Sequence, residues 1–185
     1  MRAVVAMVTG LAVCGICTGT ATAQAPPADT APEALVKLWF ERWNALSDAA
    51  ETHDALAALY AADGLHITGP SPDQRGTATF RGPDGVRALA ARLAAREDKR
   101  TWRIDTETAR ETTAQLLHAT TGPWGGAAIA VQLVAVHTDR VTGTRYATPG
   151  AAFFQIEGGR FRRVRIYLGD GERAEVEAEP TRRRP

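Results

Sequence analysis

The feature that most constrains this chain is a change of period at Lys99: apolar residues before it recur every three to four positions, and those after it alternate. From Glu33 to Leu46 they fall at Leu35, Leu38, Trp39, Trp43 and Leu46, with Lys37, Glu41 and Asn44 between them, which predicts an amphipathic helix. Thr52 can cap a second helix that carries Asp54 near its positive end and Leu56, Leu59 and Tyr60 on one face, with Gly64 as its stop. "LHIT" (65–68) then reads as a short strand and "GPSPDQRGT" (69–77) as a loop. "GPDGVRALAARLAAR" (82–96) reads as a third helix that opens on Pro83 and buries Val86, Leu89 and Leu93.

Beyond Lys99, β-branched and aromatic residues predict strands over Thr101 to about Glu107, Gln115–Thr120, Ala128–Thr138, Arg145–Ile156 and Arg160–Leu168. "GPWGG" (122–126), "DRVTG" (139–143) and "EGG" (157–159) supply turns. Helices followed by a run of antiparallel strands imply an α+β domain, three N-terminal helices packed on one face of a curved, mostly antiparallel sheet. A chain of 185 residues, 44% hydrophobic, is long enough for one such core and short for two.

The two ends carry a different message. Residues 1–25 combine Arg2, an apolar run from Ala3 to Val13 and small-residue endings at Ala21-Thr22-Ala23 and Ala23-Gln24-Ala25, the layout of a cleaved signal peptide. The run is shorter than the ~20 residues that span a bilayer and is broken at Thr9, Gly10 and Gly15, so no stable membrane anchor is expected. The mature protein is therefore expected in the periplasm or the medium. "PPADTAP" (26–32) reads as a proline-rich linker, residues 33–170 as the domain, and residues 171–185 as a charged, disordered tail.

Cleavage removes Arg2 from the 22 basic residues and none of the 21 acidic ones, which leaves the two signs equal. A neutral domain has no field to gather nucleic acid. Both cysteines, Cys14 and Cys17, depart with the leader, so the domain has no disulfide, no thiolate metal site and no thiol nucleophile. No H-x-H or H-x-x-x-H pair is present, and the Gly-rich strings precede strands, not helices. The sequence thus offers neither a zinc site nor a phosphate cradle, and no cofactor is expected.

"LWFERWNALSD", "LAALYAADGLHITGP", "FRGPDGVRALAARL" and "VAVHTDRVTGTRYATPGAAFFQIEGGRFRRVRIYLGD" stand in an order that resembles the nuclear transport factor 2-like superfamily. The resemblance is to its small bacterial branch of SnoaL-like polyketide cyclase and ketosteroid isomerase-like domains, and it spans about residues 33–170. It implies a cone-shaped fold with a pocket between the curved sheet and the first and third helices, and homodimers paired through the outer sheet face. It also aligns Thr68 with the position at which isomerases and cyclases of the family carry a catalytic Asp or Glu. A threonine hydroxyl does not ionise near neutral pH and is no general base. Trp39 or Phe40 falls where an isomerase has its oxyanion-stabilising Tyr.

His66 lies two residues before Thr68, so in a strand the two share one face and Leu65 and Ile67 the other. If the His66 face lines a pocket, its imidazole is the natural acid/base; if Leu65 and Ile67 face the core, it is a surface ring. Arg103 and Asp105 share a strand face opposite Trp102 and Ile104, either as a polar constellation of the epoxide-hydrolase kind or as a solvated face. Trp39, Trp43, Tyr60 and Phe154 can form an aromatic pocket wall or simply fill a core. Two readings of function follow. One is an exported domain with a pocket for a small apolar or amphipathic molecule, shaped by Trp39, Trp43, Tyr60, Thr68, Arg103 and Phe154. The other is an isomerase, cyclase or dehydratase that uses His66 as acid/base.

Overall fold

The computed structural model describes residues 24–69, 77–104, 117–119, 126–169 and 174–176. Three helices, α1 (Pro32–Asn44), α2 (Ala50–Ala57) and α3 (Gly82–Arg96), cover one face of a curved sheet. Its strands are β1 (Tyr60–Thr68), β2 (Ala78–Arg81), β3 (Glu97–Ile104), β4 (Leu117–Ala119), β5 (Ala127–Asp139), β6 (Arg145–Glu157), β7 (Arg160–Leu168) and β8 (Ala174–Glu175). Their order is β2-β1-β7-β6-β5-β3, with β4 on β5 and β8 on β6. Only β1 and β7 run parallel among the paired strands; all other pairs are antiparallel. Among the described residues no helix is long and apolar enough to cross a membrane.

The two periods of the sequence explain the layering. Leu35, Val36, Trp39, Phe40 and Trp43 form the buried stripe of α1, and Val86, Leu89, Ala90 and Ala94 that of α3. Alternation in the long strands turns Ile129, Val131, Leu133 and Ala135 of β5, Ala152, Phe154 and Ile156 of β6, and Phe161, Val164 and Ile166 of β7 onto those stripes. Gly158 and Gly159, both at positive φ, make the tight β6–β7 turn that "EGG" announces.

The region around Asp63-Gly64 departs from the sequence expectation. The second helix ends at Ala57, not at Gly64, and the chain is already in β1 at Tyr60. Gly64 sits inside that strand because a Cβ there would lie 2.6 Å from the Phe161 carbonyl oxygen. Pairing with β7 slips between Tyr60 and Leu65, so three extra residues bulge out before regular pairing resumes at Leu65↔Arg163. The short edge strand β2 fills the four residues between the expected loop and the third helix, β3 begins at Glu97 instead of Thr101, and two residues of the expected disordered tail form β8. Residues 1–23 of the expected leader, Asp105 and most of the tail lie outside the described residues.

Candidate functional site

The inner face carries an aromatic cluster drawn from four elements. Trp39 and Trp43, one helical turn apart on α1, stack at 5.0 Å with 14° between their planes. His66 of β1 lies nearly parallel to both, 5.5 Å from Trp43 and 6.5 Å from Trp39. Trp102 of β3 tilts against Trp43 at 5.1 Å, and Phe154 of β6 meets Trp39 edge-on at 5.3 Å.

A polar chain threads this cluster. Trp39 Nε1 donates to Tyr60 Oη at 3.0 Å, and Tyr60 Oη lies 2.7 Å from His66 Nδ1. The indole is only a donor, so Tyr60 accepts from Trp39. Towards His66 Nδ1 the phenol donates its proton or accepts a second one, according to the imidazole tautomer. Complete burial removes the solvent that would stabilise an imidazolium and lowers the His66 pKa to about 3. The same burial raises the Tyr60 pKa, against the opposing effect of the Trp39 hydrogen bond. Both groups are neutral at physiological pH.

A second polar group enters from β3 through a backbone irregularity. Pairing with β5 runs Asp98↔Thr138 and then Thr101↔Val136, so β3 holds one extra residue, with Lys99 at φ 46°. Residues three apart on a regular strand point to opposite faces; the bulge brings Glu97 and Arg100 to the same side. Arg100 Nε and Nη2 both donate to Glu97 Oε2, at 3.1 and 2.9 Å. The guanidinium carbon lies 5.8 Å from the Trp43 ring centroid, and the side chain is 2% exposed. Asn44, at the end of α1, fixes the neighbouring backbone: its Nδ2 donates to the Trp102 carbonyl at 2.8 Å and its Oδ1 accepts from the Trp102 N–H at 2.6 Å.

Several buried nitrogens of this cluster have no hydrogen-bond partner among the described residues: the donors Trp43 Nε1, Trp102 Nε1 and Arg100 Nη1, and His66 Nε2. Such groups cost about 1–3 kcal/mol each when left dry, which makes them an unusual concentration for one core. No group of three His, Asp, Glu or Cys capable of holding a metal occurs among the described residues.

The structure brings Trp39, Trp43, Tyr60, His66 and Phe154 together on the inner face, and Thr68 stands half-buried near the end of β1 on the side of His66. The alternative of His66 on the outer face is overturned: the ring is fully buried, and Leu65 and Ile67 take the opposite side. Arg103 requires a correction. It is exposed and does not line this cluster, because Trp102 points inward and strand alternation sends its neighbour outward. Sequence reading missed Arg100 and Trp102. Trp102 was legible, since a tryptophan on an amphipathic strand marks the buried face; Arg100 was not, since the bulge that turns it inward has no sequence signature.

Helices on the concave face of this sheet, with β1 parallel to β7 and a β5-β6-β7 meander, make this a nuclear transport factor 2-like cone. Solved structures of that fold superpose on the chain. A hypothetical protein with a ketosteroid isomerase-like fold from Catenulispora acidiphila, in complex with trimethylamine, is 21% identical, with 75% of this chain and 86% of that one covered at a TM-score of 0.55. An NTF2-like protein of unknown function from Exiguobacterium is 11% identical, with 74% and 98% covered at 0.55. The epoxide hydrolase/cyclase-like enzyme of pyran ring formation in the polyether salinomycin is 16% identical, with 78% and 95% covered at 0.54. At these identities the likeness defines the fold and leaves the chemistry to the site. No family model matches the sequence, and no curated protein does.

Proposed function

We propose that this protein is an exported binding domain for a small apolar or amphipathic molecule, held by the aromatic cluster between α1, α3 and the inner sheet face. The observation that carries this reading is the set of buried, unpartnered N–H groups around Trp43 in an otherwise apolar core. A core built only for stability would pair such groups or replace them; each is closed off from space the size of a water, so a ligand reaches them when the core opens around it. The fold neighbours fit this reading, one of them having been solved with a small organic amine. Export rests on the leader pattern of residues 1–25. Pairing of two copies through the outer face is supported by Phe153 and Tyr167, 46% and 36% exposed there.

Native mass spectrometry of protein recovered from its own periplasm or medium tests all three points. The expected mass lacks the leader, corresponds to a dimer and carries a releasable small molecule. A ligand-free protein that takes up no amphipathic compound on titration would overturn the binding reading.

A second reading is favoured by the Tyr60–His66 hydrogen bond, which resembles the support an acid/base needs. In it the chain is an isomerase, cyclase or dehydratase with His66 as the proton-transfer group. A ring whose pKa lies near 3 is a weak base at neutral pH, and Thr68 supplies no carboxylate, so binding is the stronger reading. A His66→Gln variant that retains ligand but loses turnover would reverse that order.

A further inference from the structure

The segment that joins the expected leader to α1 is seated on the domain. Pro26 is buried, and its carbonyl accepts a hydrogen bond from Arg160 Nη1. The Pro27 carbonyl accepts from the Thr30 N–H at 3.2 Å and from Thr30 Oγ1 at 2.8 Å, which closes a turn. A Cβ on Gly159, in the β6–β7 turn, would collide with that same carbonyl oxygen. Ahead of the seat, Gln24 and Ala25 are exposed, and the Gln24 carbonyl accepts from Arg42 Nη2 at 3.4 Å.

These contacts discriminate between the two small-residue endings of the leader. Cleavage after Ala25 would have to hydrolyse the tertiary amide Ala25–Pro26, and would leave a secondary ammonium on a buried residue whose carbonyl a cation already holds. Cleavage after Ala23 places the new terminus on exposed Gln24, outside the seat. We infer that the mature chain starts at Gln24 and that this residue is a modification site, closing to pyroglutamate; this rests on the export reading above and specifies the form of the exported chain.

The step is an internal transamidation. The Gln24 α-amino nitrogen attacks Cδ of its own side-chain amide, forms the γ-lactam and expels the amide nitrogen as ammonia, with no oxidant or reductant. Nucleophile and electrophile belong to one residue, so no second molecule has to be ordered. Charge favours the product. Of the charged side chains that line the groove beside the segment, Lys37 and Arg42 outnumber Glu41, and Arg160 adds a further cation. Burial, and then the Arg160 charge, already hold the Arg42 pKa below its ordinary value. An α-ammonium on Gln24 would add one more positive charge to this group. The lactam removes it, keeps the carbonyl that Arg42 holds, and leaves aminopeptidases no ammonium to grip.

The test reads the N-terminal tryptic peptide of protein recovered from its own periplasm or medium. Free amines are first capped by reductive methylation, so that cyclisation during digestion does not count. Methylation of Lys37 moves the first tryptic cut to Arg42. The expected peptide is Gln24–Arg42, unmethylated at its α-nitrogen and lighter by one ammonia, about 17 Da. The Gln24→Ser variant has no amide to attack, and its peptide should be methylated at the α-nitrogen. A blocked terminus in that variant as well would point to another modification and overturn the lactam. A methylated peptide that starts at Gln24 would overturn cyclisation and leave export standing. A peptide that starts at Pro26 would overturn the choice of terminus, again with export intact. Recovery of the chain with its leader would remove export and this inference together.

Discussion

Arg100 and Arg103 lie three residues apart on β3 and occupy different solvents. Arg100 is buried against Trp43 and tied to Glu97, whereas Arg103 projects from the convex face into water. The same contrast runs across the whole sheet. Inside, Trp39, Trp43, Trp102, His66 and Phe154 pack ring against ring; outside, Phe153 meets Tyr167 at 6.0 Å, and the Arg165 guanidinium lies 4.8 Å from the Tyr167 ring. Similar residue types therefore serve different ends. Removal from water makes each inner polar group expensive unless paired, so the inner face concentrates the features that need a functional explanation.

The sharpest way to break the comparison is to truncate one ring on each face. Trp39→Ala should destabilise the fold by about 3–5 kcal/mol in urea denaturation, since it opens the core and strands the Tyr60 hydroxyl. Phe153→Ala should change monomer stability by no more than about 1 kcal/mol. Comparable losses would erase the distinction between the faces.

Acid tests the inner face in a second way. The His66 pKa is about 3 in the folded state and returns to its ordinary 6.5 on unfolding. Between these values the unfolded chain holds a proton that the folded chain does not, so stability falls as pH drops. The slope expected from this group is about 1.4 kcal/mol per pH unit below pH 6.5, absent above it. The difference between wild type and His66→Gln in urea midpoints from pH 7 to pH 4 isolates it. A difference independent of pH would show that His66 is not desolvated.

The smallest effect belongs to Arg103→Ala, expected to shift stability by less than about 0.5 kcal/mol and to leave ligand affinity unchanged. A loss of ligand affinity in this variant would return Arg103 to the site.

Much of the fold was legible because it depends on period. The α1 stripe of Trp39 and Trp43, the third helix at 82–96 and the β7 strand at Arg160–Leu168 follow directly from spacing and turn residues. The failures share a cause. Gly64 reads locally as a helix stop, yet it lies in β1 because Phe161, nearly a hundred residues later, leaves no room for a Cβ. No local pattern encodes such an approach. Within the site, the aromatic members were accessible from spacing. The direction of His66 and the identity of the inward arginine were not, since a one-residue slip exchanges the faces of a strand.

The sequence by itself determined the order of helices and strands and the stripes that must be buried, because both are properties of neighbouring residues and their transfer from water. It also determined the near balance of charge, 22 basic residues against 21 acidic, and the position of both cysteines, Cys14 and Cys17, close to the N-terminus. Tertiary structure alone decided that His66 faces the tryptophans, that Arg100 and not Arg103 turns inward, and that several buried nitrogens around Trp43 are left without a partner among the described residues. These depend on the register between strands distant in sequence and on one bulged residue, and pairing geometry is fixed only when the sheet closes around its core.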